Sequence, residues 1–221
     1  MMIAENIKHI INSIPSDVQL VAVSKTKPNA DIIEAYHVGQ RLFGENKVQE
    51  LVAKYESLPK DIQWHFIGHL QSNKVKYIAP FVSLIHSVDS LKLLQIINKE
   101  AEKCGRTIPC LLQVHIAKEE TKFGLDQTEL NQLIEESGNL KNVCICGFMG
   151  MATNTDDMNI VRNEFRELKR LFDTAKSKYF NQSSSFNTLS MGMSGDYKIA
   201  IEEGSTMIRL GSTIFGERIY H

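Results

Sequence analysis

Eight short apolar runs, each bounded by turn residues and followed by a stretch of helical periodicity, constrain this chain more than any other feature. They occupy 18–24, 40–45, 62–68, 81–87, 108–116, 143–151, 186–192 and 206–211. Their length and their β-branched and aromatic content predict buried strands. The intervening segments are amphipathic. In "DSLKLLQIINKEAEKCG", Leu91, Leu94, Asn98 and Ala101 fall near helical spacing, with Asp89 as N-terminal cap and Gly105 closing the C-terminus. Asp31, Asp126 and Asp156 or Asp157 are expected to open other helices in the same way.

Strands that alternate with helices pair in parallel through βαβ units. A doubly wound open sheet can be built from such units, but eight of them in 221 residues favour a closed (β/α)8 TIM-type barrel. A helix ("AENIKHIINSI") precedes the first strand and only a short tail follows the last. This extra N-terminal helix is expected to cover the gap left by a missing eighth helix. No linker or low-complexity stretch divides the chain, so residues 1–221 read as a single barrel domain, with "NQSSSFN" as a loop.

Composition narrows the function classes. The net charge is −1 and the basic residues are scattered, which argues against nucleic acid or an anionic membrane as partner. No apolar run is long enough to span a bilayer, and the N-terminus lacks a secretory pattern. A cytoplasmic protein is expected, and a monomer. Cys104, Cys110, Cys144 and Cys146 match no zinc spacing and read as free, mostly buried thiols.

Barrels do their chemistry at the carboxyl ends of the strands, which directs attention to the polar residues there. Val21, Val23 and Lys25 share one face of the first strand. If the valines fill the interior, Lys25 rises from the same face at its top, where partial desolvation makes a neutral amine available to attack a carbonyl. The plainer alternative is a lysine that snorkels to water, and Lys27, just past the strand, is expected to be solvated. "LSMGMSGD" and "STMIRLGSTIFG" end strands seven and eight in small residues, which let backbone N–H groups approach a phosphate. Arg209 shares parity with Met207 and Gly211 and should point inward, either toward a ligand or into an ion pair with an inward carboxylate. An inward amine facing a phosphate cradle suits two ligands: a sugar phosphate in a class I aldolase, or pyridoxal 5′-phosphate (PLP).

The segments "AVSKTKP", "FGENKVQE", "WHFIGHLQSNK", "HSVD", "KFG", "LSMGMSGD" and "STMIRLGSTIFG", in this order, resemble the PLP homeostasis protein family. That family looks like a lone fold-type III barrel, similar to the N-terminal domain of alanine racemase. The resemblance implies a Schiff base between PLP and Lys25. It implies a phosphate held by Ser194, Gly211 and Ser212, with Met191 in the same segment, and Arg209 against the pyridine nitrogen. Asn46 is implied near the ring, and His65 in the pocket. The chain departs from the family pattern at "QVHIAKEETKFG", where His115 and Ala117-Lys118 stand in place of an Asn and a Ser-Gly pair. A buried His115 with a backbone partner is the simple expectation there. The resemblance further implies a protein that holds and supplies PLP to apo-enzymes with little or no turnover. The alternatives are a weak amino-acid racemase, which needs a Tyr or Cys opposite Lys25, and a class I aldolase.

Overall fold

The computed structural model describes residues 2–117 and 123–217. The eight strands are β1 (Gln19–Val23), β2 (Leu42–Glu45), β3 (Gln63–Phe66), β4 (Leu84–Val88), β5 (Ile108–Gln113), β6 (Val143–Met149), β7 (Thr188–Ser190) and β8 (Met207–Leu210). Each pairs in parallel with its successor, and β8 pairs with β1, so the sheet closes and the open doubly wound alternative is excluded. Around the sheet lie α1 (Met2–Ser13), α2 (Asn29–His37), α3 (Val48–Ser57), α4 (Val75–Ile78), α5 (Leu91–Lys103), α6 (Gln127–Glu136), α7 (Met158–Tyr179), α8 (Tyr197–Glu202) and α9 (Ser212–Phe215).

Strand alternation sorts the apolar residues into two cores. Leu20 and Ala22 join the large shell between sheet and helices, whereas Val21 lies in the lumen with Leu84, Leu111, Met149 and Met207. The parity expected for β1 therefore holds. At the bulge where β6 slips against β5, Gly147 has φ +146°, and a Cβ there would lie 1.8 Å from the Thr188 carbonyl oxygen. Only glycine lets β7 approach so closely.

The helix caps follow the sequence in part. Asp126 forms a capping box with Glu129, and Asp157 caps α7. At α5 the cap is Ser90, whose hydroxyl accepts from the Leu93 N–H, because Asp89 is drawn instead to His69 at 3.3 Å. Asp31 lies inside the first turn of α2, which Pro28 opens without a side-chain cap. All four cysteines are free, but only Cys110 is fully buried and Cys104 is exposed. Among the described residues no helix is long and apolar enough to cross a membrane, and no cluster of His, Cys, Asp or Glu is fit to hold a metal.

Helix α1 takes up the covering position expected of it. It packs on α2 and on the single turn of α9, and Asn6 Nδ2 donates to the Ile214 carbonyl at 3.0 Å. Ile7 and Ile10 are buried in the outer core, while Ile11 is 47% exposed. Ile10→Ala should therefore lower unfolding stability by about 2–5 kcal/mol, while Ile11→Ala stays within about 0.5 kcal/mol, as read by urea titration. Equal effects would mean that α1 does not seal the barrel.

Candidate functional site

A cavity of about 440 Å³ opens at the carboxyl ends of the strands, within the size range of small-ligand sites. Lys25 lines it two residues beyond the end of β1. The backbone on both sides of Lys25 is held from behind by a buried ionic cluster. Ser24 Oγ donates to Glu45 Oε1 at 2.6 Å, and Lys54 Nζ donates to that same oxygen at 2.7 Å. Lys54 also donates to the Ser24 carbonyl at 2.8 Å and to Glu50 Oε1 at 2.7 Å. Glu50 Oε1 in turn accepts the Thr26 N–H at 2.6 Å.

Thr26 has φ +65°, a left-handed conformation that costs a β-branched residue about 1–2 kcal/mol. The charge-assisted bond to Glu50 offsets that strain. Burial pushes the Glu45 carboxyl up from its usual range, opposed by the Lys54 ammonium. Lys27 is not simply solvated: its Nζ donates to the Phe215 carbonyl at 2.8 Å and ties the segment to α9.

Asn46, at the end of β2, and the turn after β3 form one wall. A Cβ on Gly68 would lie 2.3 Å from the Asn46 carbonyl oxygen, so the two strand ends meet only because residue 68 has no side chain. His69 lines the mouth, paired with Asp89 and stacked on Phe123 with ring centroids 4.6 Å apart. Opposite them, Ser194 and Gly195 meet Gly211 and Ser212, giving the small-residue turns expected after strands seven and eight.

Arg209 reaches the cavity from the lumen and is 4% exposed. Among the described residues no carboxylate hydrogen-bonds its guanidinium. Instead Nη1 donates to the carbonyl and the hydroxyl of Ser190, at 2.9 and 2.6 Å, and Nη2 to the Gly150 carbonyl at 3.2 Å. Burial lowers its pKa to about 10, so it stays charged near neutrality.

Six of the residues singled out in the sequence, Lys25, Asn46, Ser194, Arg209, Gly211 and Ser212, thus line one cavity. Two do not. His65 is buried in the lumen below the cavity, 3.0 Å from His86, because its parity on β3 directs it inward one step before the strand ends. Met191 packs in the outer core, and Met193 lines the cavity in its stead. The left-handed turn at Gly192, φ +98°, breaks the alternation between them. His115 is half-buried away from the cavity lining, with its backbone N–H donating to the Leu125 carbonyl at 3.0 Å. Lys118 and Lys122 lie outside the described residues. The sequence motifs contained His69, Glu45 and Glu50 without marking their roles; the i,i+4 spacing of Glu50 and Lys54 was the one local signal of the cluster.

The family described as "Alanine racemase, N-terminal domain" matches residues 2–219 of this sequence. The pyridoxal phosphate homeostasis protein of Vibrio alginolyticus is 39% identical, covering 99% of this chain and 98% of its own length. This chain belongs to the pyridoxal phosphate homeostasis protein family. The human protein of that name is also 39% identical, over 91% of this chain and 77% of its own length. PipY of Synechococcus elongatus, solved with PLP bound, superposes with a TM-score of 0.89 at 37% identity, covering 97% of this chain and all of the other. Alanine racemase of Clostridium difficile shares the fold at 15% identity, with a TM-score of 0.78, and this chain matches 57% of its length.

The cluster behind Lys25 makes a clear prediction. Lys54→Met removes the cation from a buried carboxylate and releases the Ser24 carbonyl, and should cost about 3–5 kcal/mol in urea unfolding. Glu45→Gln combined with Lys54→Met should recover part of that loss, because the stranded charge is gone. A double mutant no more stable than Lys54→Met would show that the pair is not coupled.

Proposed function

We propose that this chain binds PLP covalently through Lys25 and holds it for supply to apo-enzymes, with little or no turnover of its own. The observation that carries this is the meeting, in one cavity, of an amine, a buried guanidinium and a pair of small-residue turns. The residues fit the cofactor. The cavity is large enough, Lys25 supplies the nucleophile, and the turns at Ser194–Gly195 and Gly211–Ser212 suit a phosphate. Bound there, PLP supplies an aldehyde carbon that primary amines attack.

Arg209 bears on what the site does with it. A charged guanidinium against a pyridine nitrogen disfavours protonation of the ring, and an unprotonated ring withdraws electrons poorly from a bound amino acid. Among the described residues lining the cavity none is a Tyr or Cys, the groups expected of a racemase face. His69, held by Asp89, is the observation that favours the second reading, a weak racemase, since an imidazole at the mouth can exchange protons. The name borne by the relatives, from bacteria to human, supports homeostasis.

Borohydride treatment of the PLP-loaded protein followed by peptide mapping should place the pyridoxyl group on Lys25, with neither Lys27 nor Lys54 labelled. The same loaded protein, incubated with L-alanine in deuterated solvent, should exchange its α-hydrogen no faster than free PLP does. Rapid exchange that disappears in Lys25→Ala and in His69→Gln would establish the racemase reading instead.

Ser194→Ala removes one hydrogen bond to a charged group, worth about 1.5–3 kcal/mol, and should weaken PLP binding roughly 10- to 150-fold. Pyridoxal without its phosphate should bind the variant and the parent alike. Equal weakening of both ligands would remove Ser194 from the phosphate site.

A further inference from the structure

A chain of hydrogen bonds lies beneath the cavity. His65 Nδ1 is 3.0 Å from His86 Nε2, and His86 Nδ1 is 3.1 Å from Ser190 Oγ. Arg209 Nη1 donates to that same oxygen at 2.6 Å. The four residues belong to β3, β4, β7 and β8, and the bond from His86 to Ser190 joins strands that are not neighbours. The chain therefore crosses the lumen. All four residues are 4% exposed or less. Barrel lumens are usually filled by branched apolar side chains, and burying four polar ones is unfavourable unless their bonds are complete.

Counting protons sets the direction of every bond. Arginine only donates. Ser190 Oγ accepts from it and has one proton of its own, for which His86 Nδ1 is the acceptor within reach among the described residues. An imidazole that accepts at Nδ1 carries its proton on Nε2, and that N–H donates to His65 Nδ1. His65 is then also the Nε2–H tautomer. Reversing the bond at His86 would leave the Ser190 proton without an acceptor. Protonating His86 would put a second cation beside Arg209; burial, His65 and Arg209 hold its pKa well below the usual imidazole range. Burial takes His65 down to about 3.

We propose that His86, and His65 through it, are positioning residues for Arg209: a one-directional chain that offers Ser190 Oγ as a fixed acceptor and so sets which edge of the guanidinium faces the cofactor ring. With the Ser190 and Gly150 carbonyls, three of the five guanidinium N–H groups are engaged on the lumen side. The rest are left for the cavity. The proposal rests on the reading that this cavity holds PLP, and the guanidinium is then aimed at the ring by residues that never touch the cofactor.

Two measurements test it. In the protein labelled with ¹⁵N-histidine and free of PLP, both imidazoles should show the Nε2–H tautomer and stay neutral as the pH falls to about 5, well below the ordinary imidazole range. An Nδ1–H tautomer at His86, or titration of either residue at an ordinary histidine pKa, overturns the chain. The second measurement follows the absorption band of the cofactor in the PLP-loaded protein against pH. His86→Leu should shift the midpoint of that titration and weaken PLP retention about 2- to 10-fold, the worth of one hydrogen bond. His86→Gln, whose carbonyl can accept from Ser190 and whose amide can donate to His65, should restore the parent profile. A folded His86→Leu protein with a lower melting temperature but an unchanged band would reduce His86 to packing and overturn the proposal. Should His86→Leu fail to fold, the tautomers decide. A parent protein that takes up no PLP but shows both tautomers as stated would sink the cofactor reading while leaving the chain intact.

Discussion

The parallel pairing of β8 with β1 is the constraint on which the site depends. Its register sets Gln19 against Met207 and Val21 against Arg209. Lys25 follows one strand and the Gly211–Ser212 turn the other, so closure alone brings an amine, a guanidinium and a small-residue turn into one cavity. The approach is close: a Cβ on Gly211 would lie 3.4 Å from the Val23 carbonyl oxygen. In an open sheet the same strands would stand at opposite edges. Helix α1 supports the seam from outside, where the short α9 leaves the outer shell thin.

Closure also brings side chains of opposite character side by side in the lumen, for Arg209 is paired in register with Val21, His65 with Leu84, and Ser190 with both Met149 and Met207. One set is apolar, built on Val21, Leu84, Leu111, Met149 and Met207. The other set contains His65, His86, Ser190 and Arg209 and contributes little by apolar burial. Most of the stabilising burial therefore lies between the sheet and the helices. The polar set can then form a network whose geometry is set by its hydrogen bonds across the lumen. A comparable arrangement stands behind Lys25, where Lys54 and Glu50 hold the flanking backbone groups and sustain the strained Thr26. Lys25 and Arg209 are both aimed by residues outside the cavity lining.

Much of this was legible locally. Period-two alternation in "VQLVAVSK" placed Lys25 on the inward face, and the same rule applied to "TMIRLG" brought Arg209 into the lumen. Glycine and serine after β7 and β8 marked the turns that line the cavity. The misses have equally plain causes. Parity put His65 inward, but only strand length shows that it stops one step short of the cavity, in the lumen. Met191 and Met193 are indistinguishable by spacing until the left-handed turn at Gly192 rotates one into the outer core and leaves the other at the mouth. Asp89 looked like a cap because nothing local reveals that His69 competes for it.

By itself, the sequence determined the strand and helix alternation, the eightfold count and the face each strand-end residue occupies, because these follow from backbone periods of 2 and 3.6 residues that any short window displays. The tertiary structure decided the partners. His86 meets Ser190 across 104 residues of chain, and Lys54 reaches the Ser24 carbonyl across 30. Such bonds depend on which strands face one another across the lumen once β8 has closed on β1. That is a property of the closed sheet as a whole, and no local pattern of apolar and polar residues encodes it.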